Sequence, residues 1–370
     1  MSLQKFVTKS TFLLVLALFF TAHGRASTIT VVPSEVQTQI QASINNSHVG
    51  DTIYFQAGTY SLNQLHLATG RIYLGSTTGQ TIIHGGGGYA LFVFYGTSLT
   101  VQHFTFDGGG LCLCSAVSNV HVEYNTFQNI AFGPNGSTEY GNWTTTNGIF
   151  IGTSATATDI SHNTFHNLSA QILSQYKDEN LGVTGIFGYN ISSTTITYNT
   201  FDTLNEGIHF FNGSNVQILH NTITHFHRIG MEFQDKVSGL ELGYNTYSAP
   251  VVPFWVTFGI SAAISGGNAY IHDNLIDDQV QKACGSTCWI GYGVEAWGVG
   301  TVVANNTIQG HWGNGVAIGP SSNLKVMNNL ICGPEMSETG NGYVVNQDST
   351  KWAGELISAN KTSPSLVCTK

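Results

Sequence analysis

The chain has 370 residues, of which only 9% are charged, and its 12 Lys and Arg face 21 Asp and Glu for a formal net charge of −9. Nucleic acid requires a basic surface, so this balance argues against a nucleic-acid partner. It also disfavours a polyanionic ligand, and it leaves a surface made largely of uncharged polar residues.

The first 26 residues have the features of a secretory signal peptide. Lys5 and Lys9 precede an apolar run over Phe12–Phe20, and small residues follow. Nine apolar residues are too few to cross a bilayer, which needs about 20. We therefore expect residues 1–26 to be removed, and residues 27–370 to form a single domain that is secreted or held at the cell surface or in the periplasm. No later stretch has 18 consecutive apolar residues, so no membrane insertion is expected.

The segment after the signal peptide reads as a helix followed by strands. "VQTQIQASIN", from Val36 to Asn45, has the amphipathic spacing of a helix, and "GDTIYFQAGTY" from Gly50 reads as a turn and a strand. A helix placed over the first strands of a stack would close its open end and protect a sheet edge. We therefore predict an N-terminal capping helix.

A repeat organises the rest of the chain. An Asn returns after an alternating strand, in "YNTF", "HNTI" and related forms, at Asn125, Asn163, Asn199, Asn221, Asn245, Asn274, Asn306 and Asn329. A Gly then opens another short strand, as in "GIHF" at Gly207 and "GMEF" at Gly230. The closest Gly-to-Gly spacings are 22 or 23 residues, enough for three short strands and their turns. One such coil cannot bury its apolar face alone, so coils must stack about 4.8 Å apart around an apolar lumen.

These patterns predict an all-β parallel β-helix with an N-terminal capping helix. The recurrent Asn is expected at a bend with left-handed geometry, where stacked side chains can form a hydrogen-bonded ladder. "GDTIYFQAGTY" and the "NTF/NTI" coils resemble the right-handed parallel β-helix superfamily typified by pectate lyases and related polysaccharide-degrading proteins. The resemblance covers nearly the whole mature chain. It implies a right-handed solenoid, expected here as a monomer, whose partner is a polysaccharide or an oligosaccharide.

Strand alternation predicts a column of outward side chains on the strands that the repeat Gly opens. The residue after each Gly is apolar and faces the lumen, so the next one points outward. The column reads Phe150, Phe187, His209, Glu232, Ser261, Glu295, Ala317 and Val344. Long loops over 128–147, 166–184, 248–258 and 277–292 enter the same face, and together they predict a walled groove.

The charged members of this column are the candidate catalytic residues. Glu232 and Glu295 lie two coils apart, about 9.6 Å along the stack, near the roughly 6.5–9.5 Å that separates the carboxyls of inverting glycosidases. One would donate a proton and the other would activate water. His209 adjoins Glu232, Asp235 ends the same strand, and Arg228 at its start would bind a substrate oxygen or hold Glu232 ionised.

Further residues near these loops are candidates for substrate binding. Aromatic rings can stack on sugars through their flat faces, although packing under long loops is the alternative. The candidates are Trp255, Trp289, Tyr292, Trp297 and Trp312, with Glu206 as a reserve carboxylate. No set of 6–8 oxygen ligands for Ca²⁺ can be assembled, so no metal or cofactor is expected unless the chain is a lyase.

Three functions remain open at this stage. A glycoside hydrolase is the leading hypothesis. A polysaccharide lyase or epimerase would use Arg228 or a His as base and Glu232 with Asp235 to hold a cation. The third is a non-catalytic, adhesin-like glycan-binding protein, and it gains weight because the paired-Asp and "GHG" motifs of polygalacturonases and the "DPHD" motif of alginate epimerases are missing.

Six cysteines in an exported chain permit disulfides. Cys332 and Cys368 are expected to fasten the C-terminal segment to the body. Cys284 and Cys288 would close a small loop. Cys112 and Cys114 are too close for a comfortable pair and are expected to be buried thiols.

Overall fold

The computed structural model describes residues 26–86, 88–131, 147–168, 183–248, 258–278, 291–333, 343–347 and 352–369. Residues 1–25 of the expected signal peptide lie outside these ranges, as do Cys284, Cys288, Trp255 and Trp289. Within them the chain forms one helix and 31 strands, all paired in parallel. No helix among the described residues is long and apolar enough to span a membrane.

The elements in chain order are β1 Thr28–Val31, α1 Gln37–Asn45, β2 Thr52–Phe55, β3 Gly58–Ser61, β4 Leu65–His66, β5 Arg71–Gly75, β6 Thr81–His84, β7 Tyr89–Val93, β8 Gly96–Gln102, β9 Phe104–Asp107, β10 Gly110–Leu113, β11 Val117–Glu123, β12 Thr126–Gln128, β13 Ile149–Ile151, β14 Thr156–Ser161, β15 Thr164–His166, β16 Thr184–Thr197, β17 Thr200–Leu219, β18 Thr222–Gly243, β19 Thr246–Ser248, β20 Phe258–Ile264, β21 Ala269–His272, β22 Leu275–Asp278, β23 Tyr292–Ala296, β24 Val302–Ala304, β25 Thr307–Gly310, β26 Asn314–Ile318, β27 Lys325–Met327, β28 Leu330–Cys332, β29 Val344–Asn346, β30 Leu356–Ser358 and β31 Lys361–Ser363.

The pairing divides these strands into three faces of a solenoid. The first face, sheet 1, contains β2, β5, β8, β11 and β14, and continues to β21, β24, β27 and β30. Sheet 2 runs from β3 through β6, β9, β12 and β15 to β31. Sheet 3 runs from β4 through β7, β10 and β13 to β20, β23, β26 and β29. The long strands β16, β17 and β18 turn from one face into the next, so each supplies more than one sheet. The predicted parallel β-helix is confirmed.

The lumen is packed by the apolar residues that the alternation predicts. On sheet 3, Ile208 and Met231 are fully buried, as is Val294 two coils further on. On sheet 2 the rings of Phe127, Phe165 and their neighbours in adjacent coils stack face to face with centroids 4.6–4.9 Å apart. Each coil therefore buries its apolar face on its neighbours, which is what holds a solenoid together.

The asparagine ladder is confirmed. The backbone N–H of Asn199 donates to Oδ1 of Asn221 at 2.9 Å, and its side-chain Nδ2 donates to the same oxygen at 3.0 Å. The same bonds recur from Asn125 to Asn329 and continue to Asn360. The left-handed bend was assigned to the wrong residue, because the residue before each ladder Asn has the positive φ, as Tyr198 does at 56°. This bend turns the Asn side chain inward along the stack, where burial makes each hydrogen bond obligatory.

The capping helix is also confirmed. It begins at Gln37, with Val36 as its N-cap, and ends at Asn45. Ile40 and Ile44 are buried in the core beneath it, while side chains on its flank bond to backbone of the first coil, as Gln37 Nε2 does to the carbonyl of Asn63 at 2.8 Å.

Two disulfides are present in the described part of the chain. Cys332 pairs with Cys368, as expected, with Cα atoms 5.5 Å apart. The prediction that Cys112 and Cys114 are thiols is wrong, since they form a disulfide. Strand β10 ends between them at Leu113, and the turn brings their Cα atoms to 4.9 Å, within the range that a disulfide spans.

Candidate functional site

The predicted outward column exists on sheet 3. The register aligns Phe187 with His209, His209 with Glu232, Glu232 with Ser261 and Ser261 with Glu295. Each of these residues is therefore one coil, about 4.8 Å, from the next.

The last predicted member of the column is wrong by one residue. Ala317 pairs with Val345, and Val344 pairs with Val316. The carbonyl of Tyr343 lies over Gly315 in the place where the carbonyl of Gly315 itself lies over Gly293. Tyr343 thus takes the position of the repeat Gly in this coil, and the strand is displaced by one residue relative to the "GYVV" pattern.

The polar residues of the column are buried although they point away from the lumen. His209 is 1% exposed, Glu232 and Ser261 are each 3% exposed, and Glu295 is 8% exposed. Charged groups at such burial must be paired or hydrogen-bonded. The column is therefore an enclosed polar seam and not a solvated face.

One arginine joins two buried carboxylates at the centre of this seam. Arg228 Nη1 donates to Oε1 of Glu206 and, at 2.8 Å, to Oε2 of Glu232. The second oxygen of Glu206 lies 2.9 Å from Nδ1 of His209 and accepts from Oγ1 of Thr184 at 3.3 Å. His209 Nδ1 is also 3.4 Å from Glu232 Oε2. We call Glu206, His209, Arg228 and Glu232 the arginine cluster.

An irregularity in the sheet aims Arg228 at its partners. Between Leu204 and Glu206 on β17 the register with β18 shifts, so that Leu204 pairs with Phe226 but Glu206 pairs with Ile229. The extra residue in β18 is a β-bulge, a feature that re-aims side chains locally. The bulge brings the side chain of Arg228 next to the carboxylate of Glu206.

The arginine cluster keeps Glu206 ionised. Burial by itself would raise the pKa of this carboxyl, but the positive charge of Arg228 and the contact with His209 outweigh it and lower the pKa to about 2. The negative charge of Glu206 is therefore stabilised by its contacts with Arg228 and His209.

Glu295 has a different environment. Its Oε2 accepts from Ser261 Oγ at 2.6 Å and its Oε1 accepts from Gln347 Nε2 at 2.6 Å. Gln347 Oε1 in turn accepts from Trp297 Nε1 at 2.9 Å, and because an indole N–H only donates, this contact fixes the orientation of the amide. Burial raises the pKa of Glu295, the negative charge of Glu232 adds to the rise, and the bonds from Ser261 and Gln347 oppose it.

The two kinds of environment lie in one column of sheet 3. Glu232 and Glu295 are two coils apart, about 9.6 Å along the stack. Glu295 bends back to bond with Ser261 in the coil between them, which shortens the gap between the two carboxyls. Ser261 is small and buried, and its hydroxyl contacts the Glu295 carboxyl that lies over it.

The remaining predicted residues fall in several places. Asp235 is exposed at a left-handed position with a φ of 64°, near the half-buried Tyr189. Tyr292 is half-buried with its ring 5.4 Å from that of Phe258. Trp297 donates a hydrogen bond from Nε1 to Oε1 of Gln347. Trp312 is 1% exposed and belongs to the apolar core, so its proposed role as a sugar platform is wrong.

The repeat pattern did not predict that Gln347 contacts Glu295. Gln347 lies in line with Trp297 and Gly319, because the residues just before them, Ala296, Ile318 and Asn346, pair in successive coils. A Cβ on Gly319 would be 1.9 Å from Trp297 Nε1, so the glycine makes room for the indole. A second outward column, two residues after the predicted one, gives Trp297 and Gly319 but reaches Asn346 instead of Gln347, because the last strand is displaced by one residue.

The donor atoms of Glu206, His209 and Glu232 lie within 4.8 Å of one another, close enough to share a metal ion. Arg228, however, contacts both carboxylates. Its guanidinium therefore supplies one positive charge between the two carboxylates.

Comparison with known proteins identifies the fold. No family model matches the chain, and no curated protein matches it in sequence. Among solved structures it is similar to PfbA, a surface adhesin of Streptococcus pneumoniae, at 12% identity over 89% of this chain and 88% of that one, with a TM-score of 0.51. A mannuronic acid specific family 6 polysaccharide lyase from human gut microbiota matches at 11% identity, 91% and 82% coverage and a TM-score of 0.51. The family 28 exopolygalacturonase of Yersinia enterocolitica matches at 11% identity, 92% and 78% coverage and a TM-score of 0.51. The chain is thus a right-handed parallel β-helix.

Proposed function

We propose that this protein is an exported carbohydrate-active β-helix that hydrolyses a neutral polysaccharide, with Glu295 as the general acid and Glu232 as the base that activates water. The observation that carries the proposal is the contrast between two buried carboxyls in one column. Glu295 accepts from the neutral donors Ser261 and Gln347, whereas Glu232 accepts from the guanidinium of Arg228 in addition to the neutral amide of Gln234. Paired carboxyls whose surroundings differ in this way are suited to opposite roles in acid–base catalysis.

The steps follow from these surroundings. Glu295 carries a proton to the glycosidic oxygen, because its raised pKa keeps it protonated at a higher pH than an ordinary Glu. Glu232 takes a proton from water on the opposite face of the sugar ring. The two carboxyls come from strands two coils apart, and a separation that admits this water between the carboxyl and the sugar gives inversion at the anomeric carbon.

A neutral substrate fits the charges of the seam. The arginine cluster already holds two carboxylates against one guanidinium, so a uronate would add a third negative group. Arg228, as the partner of both carboxylates, is also poorly placed to act as a lyase base. The solenoid is shared with a polysaccharide lyase and an exopolygalacturonase, which supports a glycan as the ligand.

The test is a panel of neutral and acidic polysaccharides offered to the purified protein, with and without chelator. New reducing ends without ultraviolet-absorbing products are expected from a neutral glycan, and proton NMR of the first product is expected to show inversion. Glu295→Gln and Glu232→Gln should each lower turnover by at least about a hundredfold. Glu241→Gln, which changes a carboxyl on the sheet 1 part of the same strand β18, is the matched control and should retain full activity.

A second function is favoured by the burial of the column. Both carboxyls are at most 8% exposed and are hydrogen-bonded within the protein, as expected of a binding scaffold whose ligand stays outside. The similar solenoid of a pneumococcal surface adhesin makes a non-catalytic glycan-binding protein the alternative. Saturable binding with no product from any glycan, unaffected by Glu295→Gln, would replace the hydrolase proposal with this one. Products that absorb in the ultraviolet and are lost with chelator would replace it with a lyase.

A further inference from the structure

A second group of ionisable side chains lies on sheet 1, away from the seam. His121 on β11 pairs in register with Asp159 on β14, and Glu123 follows His121 by two residues on the same outer face. We call these three residues the sheet 1 triad. Their side chains are 40%, 35% and 27% exposed in that order, so they are partly enclosed but open to solvent on one side.

The geometry of the triad is that of ligands around a shared ion. His121 Nδ1 is 3.7 Å from Glu123 Oε1 and 3.6 Å from Asp159 Oδ2, beyond the usual hydrogen-bond range of 2.7–3.2 Å. One nitrogen thus faces two carboxylate oxygens without bonding to either. Two ligands at 2.0–2.1 Å from one metal at tetrahedral or trigonal angles are themselves about 3.3–3.6 Å apart. The three donor atoms lie within 4.8 Å of one another.

A second cluster, four coils further along sheet 1, shows the geometry of an ordinary hydrogen-bond network. His272 places Nδ1 2.8 Å from Asp273 and Nε2 3.3 Å from Glu241, so its two nitrogens serve two different carboxylates. That arrangement has no common point for an ion. The sheet 1 triad differs because a single nitrogen and both carboxylates converge.

The charge around the triad also favours a cation. The residues that pair with its members in adjacent coils are uncharged, namely Thr100, Gln102, Ser161 and Thr195. Two carboxylates therefore face each other with one imidazole between them. Mixed imidazole and carboxylate ligands suit Zn²⁺ and its first-row neighbours, whereas Ca²⁺ takes 6–8 oxygens.

We propose that His121, Glu123 and Asp159 bind a first-row divalent metal ion, with Zn²⁺ as the reference ion. The ion joins two coils, since Asp159 comes from the coil after His121 and Glu123. Three protein ligands leave a fourth position on the solvent side for water or for a donor group of another molecule. The backbone ladder of β11 and β14 sets the spacing of the ligands before the metal arrives.

The experiment is a calorimetric titration of the metal-stripped, untagged protein with ZnCl₂ near pH 7.5, with thermal unfolding followed in parallel. His121→Gln and Asp159→Asn are the test variants, and His272→Gln is the matched control on the same face. Wild type and His272→Gln are expected to share one Zn²⁺ site that raises Tm. Both test variants should weaken that site at least about tenfold and lose the rise in Tm.

Circular dichroism checks that each variant is folded, and the two test variants report independently of each other. The proposal is overturned if both retain the affinity, stoichiometry and Tm rise of the wild type. It is also overturned if His272→Gln removes the site or if CaCl₂ produces the same response as ZnCl₂. None of these readouts depends on the hydrolase proposal.

Discussion

Replacing Arg228 by Met tests how strongly its guanidinium stabilises the two carboxylates of the arginine cluster. Met keeps the apolar stem and removes the charge, which leaves Glu206 and Glu232 as two buried carboxylates. Arg228 is the main group that lowers the pKa of Glu206 from 4.5 to about 2, and His209 is the second, so the two together stabilise the ionised carboxylate by about 3 kcal/mol. Removing one partner of a buried pair costs about 3–5 kcal/mol by experience, in agreement with this figure.

The measurement is urea unfolding at pH 7 and at lower pH. The lowered pKa of Glu206 contributes stability that is fully present above its unfolded value and is lost as pH falls toward 2. The loss caused by Arg228→Met should therefore be about 3 kcal/mol at pH 7 and should shrink below about pH 4.5. Lys325→Met removes a charge from an exposed site on β27 and should change stability by less than about 0.5 kcal/mol.

A double variant measures the interaction energy between Arg228 and Glu206. Adding Glu206→Gln to Arg228→Met removes one of the stranded carboxylates and should restore part of the lost stability, giving a coupling energy of about 0.5–3 kcal/mol. A loss below about 1 kcal/mol for Arg228→Met at pH 7 would refute the reasoning, since that is the size of an exposed ion pair.

Two further predictions concern the surroundings of Glu295. Because the folded-state pKa of Glu295 is raised, its ionisation opposes folding as pH increases, so Glu295→Gln should keep Tm in acid and raise it at alkaline pH. Thermal scans from pH 4 to pH 9 check this, and a lower Tm at pH 9 would contradict it. Gly319→Ala would place a Cβ 1.9 Å from Trp297 Nε1 and should displace the indole from Gln347, at a cost of about 1–3 kcal/mol and with a change in Trp fluorescence. Gly86→Ala is the control, because a Cβ there meets nothing within 4 Å. If both variants changed stability and Trp fluorescence equally, the effect of Gly319→Ala would not come from the contact with Trp297.

The features that the sequence predicted well are those that repeat in every coil. The ladder Asn and the repeat Gly mark the same two points of each turn, so they fix the register, and the register places His209, Glu232 and Glu295 in one column. A local exception breaks such a prediction, as Tyr343 does by taking the position of a repeat Gly. The disulfide at Cys112 is another exception, because it depends on where a single strand ends.

The contacts that define the site could not be read from the repeat. Arg228 reaches Glu206 through a bulge, and a bulge has no signature in a pattern of alternating residues. Gln347 follows β29, 52 residues after Glu295, and its role depends on which side-chain atoms meet. Burial is the third such property, since alternation states that a side chain points outward and does not state what covers it.

The position of the charges supports a functional reading of the seam more strongly than their number does. The same register position is filled by Phe150 and Phe187 before the arginine cluster and by Ala317 after Glu295, so the solenoid closes at this face without any charge. Burying an ion pair costs several kcal/mol per ion in lost hydration, and apolar side chains of similar volume are often as stable or more stable. A fold that uses apolar residues here in neighbouring coils has no structural need for His209, Glu232 and Glu295. These three residues occupy three of four successive coils of the column, and the cost of burying them where apolar residues would suffice is what favours a functional reading.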